Sequence, residues 1–234
     1  MKKSSLAAGL LAFVVIPFIA RAQQATKKKV ENIDDVPRHT YAIEMRASEL
    51  YADKEAFREF ITSVRADIET DLETYEIEDA KTLRGYYGTL LAIDMMEGNY
   101  AAALENVYRI RELHDKAASR LTSGMVTEAI IRAYTDAGPD GRLDKNVFMH
   151  LLSQVVDTLP WEIVQERVEE LKGQFDIFSE NFILGLIQSQ FDPVVEKTGH
   201  MSNDLAGRLI SLRYVADFQL PLKEEIIAVL DKYI

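Results

Sequence analysis

The chain of 234 residues contains no cysteine and sets 27 Lys+Arg against 38 Asp+Glu, a net charge of −11 at pH 7. Without thiols there is no disulfide framework and no cysteine nucleophile, so stability has to come from packing, for which the length suffices. The acidic balance repels phosphate backbones and anionic lipid, which argues against nucleic acid or a membrane surface as a partner.

The first residues point to export. Lys2 and Lys3 precede an uncharged apolar stretch, Leu6 to Ile19, which contains one proline, Pro17; Ala20-Arg21-Ala22 follows as a small-x-small cleavage pattern. This is the layout of a secretory signal peptide over residues 1–22, cut between Ala22 and Gln23, and the stretch is short for a membrane span. An uncleaved N-terminal anchor is the alternative. No cysteine follows the apolar run, so a lipid-anchored form is excluded. Cleavage takes away Lys2, Lys3 and Arg21 and no acid, leaving a net charge of −14 on the mature chain. That chain is expected to be periplasmic or secreted, with no stable membrane span.

Gln23 to Glu31 is polar and lysine-rich and reads as a disordered tether. Pro37 biases Val36 towards an extended conformation, so Ile33 to Ser48 is expected to pack as a strand-like arm. Residues 49–234 then carry helical periodicity. Asp53 can cap a helix with Phe57, Phe60, Ile61, Val64, Ile68, Leu72 and Tyr75 on its apolar side. A second helix runs from about Asp79 to Glu97 and stops at Gly98. A third follows Asn99, and a fourth covers Lys116 to Ala137 before the strong stop Gly138-Pro139-Asp140-Gly141. The fifth is Leu143 to Leu159, ended by Pro160, and the sixth Trp161 to Leu171. Ser179 opens a seventh, bent at Asp192-Pro193 and closed by Thr198-Gly199-His200. Ser202 opens an eighth to Phe218, and Pro221 opens a ninth. The expectation is an all-α fold of about eight or nine helices in antiparallel hairpins, with room for two lobes, 49–138 and 142–234. The apolar face of the last helix (Leu222, Ile226, Ile227, Leu230) reaches Ile234 without a capping residue, so the parent chain is expected to continue.

Few constellations carry chemistry. Gly98-Asn99-Tyr100 with Ala103, preceded by Tyr87 and Leu90, has partial tetratricopeptide character, but Leu91, Asp94 and Asp115 depart from the pattern and no copy follows at 34 residues. Asp136, Asp140 and Asp144 lack the bidentate carboxylate of a calcium loop, since Val147 stands at the twelfth position. His39, His114, His150 and His200 form no metal-ligand spacing, and no nucleophile elbow or Ser-x-x-Lys pair occurs. No catalytic residue, metal or cofactor is therefore expected. Trp161, beside the break at Pro160, and the cluster Phe175, Ile177 and Phe178 are the candidate partner-binding residues; core packing is the alternative for them.

Two stretches read together carry a resemblance. One is Val36-Pro37-Arg38-His39-Thr40-Tyr41, followed by the Val64-Arg65-Ala66-Asp67-Ile68 helix and the Gly85-Tyr86-Tyr87 to Arg111 hairpin. The other runs from Leu159-Pro160-Trp161 through Ser179-Glu180-Asn181 to Gln188-Ser189-Gln190-Phe191-Asp192-Pro193. In that order they resemble the helical N-terminal region that precedes the protease domain in some large secreted subtilisin-like serine peptidases of Gram-negative bacteria. The resemblance implies a non-catalytic accessory or pro-region-like module that aids folding or docking of a downstream catalytic domain; no position here matches the family's Asp, His and Ser triad. The other expectation is a free-standing periplasmic helical-repeat protein that binds a peptide or protein partner.

Overall fold

Asp53 starts the longest helix by local chemistry: its Oδ1 accepts N–H bonds from Glu55 and Ala56, both at 3.0 Å. The apolar stripe behind it, Phe57, Phe60, Ile61, Val64 and Ile68, is buried. The same logic repeats along the chain in the computed structural model, which describes residues 26–113, 123–137 and 141–234. Its α-helices are α1 (Ala47–Ala52), α2 (Lys54–Thr74), α3 (Ala80–Glu97), α4 (Tyr100–Glu112), α5 (Ser123–Asp136) and α6 (Lys145–Asp157). They continue as α7 (Trp161–Ile177), α8 (Glu180–Gln190), α9 (Asp192–Thr198), α10 (Asn203–Tyr214) and α11 (Lys223–Leu230). Nine of these have eight residues or more, so the fold is all-α as expected. Gly98 and Gly199 end α3 and α9 in the left-handed conformation, with φ of 74° and 67°, which costs a glycine little.

Helices α3 to α6 form a row in which each packs on the next, α3 and α4 as a tight hairpin around Gly98-Asn99. The C-terminal segment crosses behind this row: α10 lies on α3, and α11 lies on α6 and α7. Its approach to α3 depends on Gly207, where an added Cβ would stand 2.6 Å from Thr89 Oγ1. Among the described residues, strand is confined to two short pairs. β1 (Lys28–Lys29) runs parallel to β3 (Tyr75–Glu76), and β2 (Thr40–Ala42) runs antiparallel to β4 (His200–Ser202), with Tyr41 opposite Met201.

The arm is fastened by side chains as well as by backbone. His39 Nε2 lies 2.9 Å from Asp71 Oδ2 and its Nδ1 3.5 Å from Asp67 Oδ2. Tyr86 Oη donates to the same buried Asp71 oxygen at 2.7 Å. Burial, with the Asp71 hydrogen bond next, holds the Tyr86 phenol above its ordinary value. Further along, the Ser48 N–H and hydroxyl donate to the two oxygens of Asp192, at 2.9 and 2.6 Å, which ties the start of α1 to α9.

Several expectations are corrected. The lysine-rich tether is in place from Thr26: Lys28 and Lys29 pair with Tyr75 and Glu76, and Lys29 Nζ lies 3.3 Å from Glu78. The sixth helix does not end at Leu171 but runs to Ile177, because Phe175 extends the buried stripe of Val164, Val168 and Leu171 beyond Gly173. Such burial outweighs the ~1 kcal/mol that a mid-helix glycine costs. The eighth helix is α only to Tyr214 and continues as a π turn, Val215–Gln219, closed by the Leu220 N–H on the Val215 carbonyl. The wider turn places Gln219 in the core, where its Nε2 donates to Thr127 Oγ1 at 3.2 Å beside the Tyr214 hydroxyl at 3.1 Å. In the tetratricopeptide-like hairpin, Asp94 stands where an aromatic is expected. It is buried and receives Arg65 Nη2 at 2.6 Å and Asn106 Nδ2 at 2.9 Å. The cleavage residues Ala20, Ala22 and Gln23, the segment Lys116 to Thr122, His114 and Gly138-Pro139-Asp140 lie outside the described residues.

Candidate binding cleft

The π turn opens a recess. Ala216 and Asp217 of that turn, Leu220 and Pro221 behind it, Arg213 of α10, Lys223 of α11, the Phe178-Ser179-Glu180 junction of α7 and α8, and Tyr51 of α1 line an open cleft of about 440 Å³. Each wall has a local cause. Ser179 turns the chain because its Oγ accepts the Phe182 N–H at 3.1 Å, which starts α8. Pro221 gives no N–H to the helix, so α10 cannot simply run on into α11.

Arg213 organises the floor. Its Nε donates to Asp217 Oδ2 at 2.8 Å, its Nη1 donates to the Tyr51 carbonyl, and its guanidinium lies 4.9 Å from the Tyr51 ring centre and 5.9 Å from that of Phe57. Only 12% of the Arg213 side chain is exposed, so the guanidinium is committed to the wall of the cleft. Tyr51 is buried, and burial pushes its phenol above the ordinary value; Arg213 opposes this, while Asp217 and Glu180 push it further up. Tyr51 is therefore a neutral hydroxyl at physiological pH.

Two apolar side chains near Phe178 are open to water. Ile177 is 60% and Phe182 42% exposed, and the Phe178 ring meets Phe182 edge-on at 5.8 Å. Glu180 lines the cleft and makes no side-chain hydrogen bond or ion pair among the described residues. Lys223 faces Asp176 at 3.7 Å.

Of the aromatic residues singled out from sequence, Phe178 lines the cleft. Phe175, one turn earlier, is in the core at 4% exposure. Trp161 is half exposed at the opposite end of α7, its ring 6.5 Å from that of Tyr233. By the helix rise it is ~21 Å from Phe175. The three do not form one surface. Tyr51, Glu180, Arg213 and Asp217 were not legible as a site. The i,i+4 spacing of Arg213 and Asp217 and the capping role of Ser179 were the available signals, and neither indicates that Tyr51 closes the recess from far away in sequence.

The described histidines stay apart, His39 in the arm, His150 on α6 and His200 on β4. No group of three or more His, Cys, Asp or Glu among the described residues is placed to hold a metal ion. No helix among them is long and apolar enough to cross a membrane. Fold and cleft together define an all-α protein with a recess lined by both apolar and charged side chains. Comparison with family models, with curated proteins and with solved structures finds no match.

Proposed function

We propose that the mature chain is a non-catalytic helical module of an exported protein, and that it docks a polypeptide segment in this cleft. The observation that carries the reading is the combination of a pre-formed floor with exposed apolar side chains next to the Phe178 wall. Arg213, Asp217 and Tyr51 are held by one another, whereas Phe182, whose ring meets that of the lining Phe178, and Ile177, the chain neighbour of Phe178, are open to water. Rigid, desolvated anchors surrounded by apolar contacts are the usual make-up of a protein-binding hot spot. A π turn inserted in a helix is a further mark, since such turns concentrate at functional sites.

The test is photo-crosslinking in the native host from benzoylphenylalanine placed at Phe182 or Ile177, with exposed Glu105 on α4 as control. Both apolar positions should give adducts with the same polypeptide region, identified by mass spectrometry, and Glu105 should not. Adducts from none of these positions, or equally from all, would sink the reading.

The likeness to the region ahead of subtilisin-like protease domains supports one setting for the module. There it would assist folding or docking of a downstream serine peptidase domain, and the crosslink would fall within a single longer polypeptide. An adduct with a separate chain supports the free-standing peptide- or protein-binding alternative.

A further inference from the structure

We infer that Tyr100 and Tyr134 form an oxidative modification site, at which a one-electron oxidant joins the two phenols by a carbon–carbon bond. Tyr100 opens α4 directly after the Gly98-Asn99 turn, and Tyr134 lies in the last turn of α5. These helices pack side by side, and the two rings stack with centres 4.9 Å apart and planes 20° from parallel. That spacing belongs to offset stacking, in which the edge of one ring lies over the other. Both residues are partly buried. Neither hydroxyl bonds to a described residue, and neither is among the buried polar atoms left without a partner, so both meet water.

Each phenol gives one electron to the oxidant and its hydroxyl proton to water. This leaves a neutral radical whose spin is shared between the oxygen and the ring carbons beside the C–O bond. One such carbon from each ring forms the new bond. The hydrogens on those carbons then leave as protons while both oxygens are reprotonated. The protein loses two hydrogen atoms in all, and the oxidant, a peroxidase-type or high-valent metal species, gains two electrons. Coupling within the pair is favoured because the partner ring is already in place, whereas any other tyrosine has to reach it by diffusion.

Among the described residues no other two tyrosines share this arrangement. The remaining ring contacts pair tyrosine with phenylalanine or tryptophan, or phenylalanine with itself. Tyr214 is in the core, and its hydroxyl donates to Thr127, a neutral hydroxyl that is no base for the proton. Tyr233 donates to the Asp157 carboxylate, but its ring neighbour is Trp161. The chain has no cysteine, so no thiol intercepts the radical and no disulfide links α4 to α5.

Photo-oxidation of the dilute purified protein by ruthenium tris-bipyridine, light and persulfate tests this, with N-acetyltyrosine illuminated in parallel to show that phenols couple under the same conditions. Monomer isolated afterwards should show dityrosine fluorescence. Its digest should contain a peptide pair joined through Tyr100 and Tyr134 and lighter by two hydrogen atoms. Tyr100→Phe and Tyr134→Phe keep the stacked rings and should each abolish both signals. Tyr108→Phe, at a tyrosine 37% exposed on α4, should leave them unchanged. The cross-linked protein should also unfold at higher urea than the untreated one, because the bond restricts the unfolded chain. Monomer without dityrosine while N-acetyltyrosine couples, dityrosine that persists in Tyr100→Phe, or cross-links scattered over other tyrosine pairs, overturns the assignment.

Discussion

The contact between α10 and α3 offers a sharp test of how the C-terminal segment is seated. Gly207→Ala puts a methyl group 2.6 Å from Thr89 Oγ1, about 1 Å inside the ~3.5 Å of relaxed contact. The hydroxyl cannot step aside freely, because it donates to the Gly85 carbonyl at 2.9 Å and threonine is stiff at χ1 in a helix. Two effects compete. Alanine in a helix interior gains about 1 kcal/mol over glycine, whereas forcing a methyl group into a packed contact costs about 1–3 kcal/mol. The single variant should therefore be neutral to ~2 kcal/mol less stable. In a Thr89→Ala background the hydroxyl is gone and the remaining Cβ sits at an ordinary 3.8 Å, so the same substitution should stabilise by about 1 kcal/mol. Urea unfolding of the four proteins gives the cycle, with an expected coupling of ~1–3 kcal/mol. A cycle that closes to within about 0.3 kcal/mol, or a Gly207→Ala that stabilises both backgrounds equally, would show that the two helices do not meet at this distance.

Two further perturbations probe the polar core and the arm. Burial pushes the Tyr214 phenol from 10.0 to about 12, against the pull of its Thr127 and Gln219 hydrogen bonds. The folded form thus keeps a proton that the unfolded chain loses, and the contribution is present below pH 10 and lost as pH rises towards 12. Tyr214→Phe should cost ~1 kcal/mol at neutral pH and show a shallower loss of urea stability above pH 10; parallel profiles for the two proteins would refute this. His39→Ala removes the side chain held between Asp67 and Asp71 and should destabilise by about 1.5–3 kcal/mol, the scale of a hydrogen bond to a charged group. Trypsin should then cut faster after Arg38, and an unchanged rate there would mean that β-pairing alone holds the arm.

Helix starts and stops were the most legible part of the fold, because they rest on neighbours in sequence. Asp53, Ser179 and Ser202 cap the helices they precede, and Gly98 and Gly199 close the ones they follow. Pro37 likewise marks the extended arm that becomes β2. What failed depends on partners far away. The pairing of Thr40–Ala42 with His200–Ser202 joins segments with most of the domain between them, and no residue pattern announces it. The π turn was read as plain helix because its cause is Thr127 on α5, which holds Gln219 and Tyr214. The cleft is a consequence of that turn, so its position was illegible for the same reason. Phe178 was found only as an aromatic near a helix end.

The cleft is therefore a product of chain closure rather than of any one motif, and this shapes what a ligand would do. α1 has six residues, too few to persist as a helix without tertiary support. Asp192 holds its first turn through Ser48, and Arg213 holds its end through the Tyr51 carbonyl and ring. Tyr51 consequently stands in the cleft only while the N-terminal arm lies against α8, α9 and α10. A segment that touches Tyr51, Phe178 and the π turn together bridges the two ends of the chain. It binds the closed form and not an opened one, so its binding energy adds to the stability of the closure. Arg213 is the residue through which this coupling runs, since it alone among the lining residues bonds to both the π turn and α1.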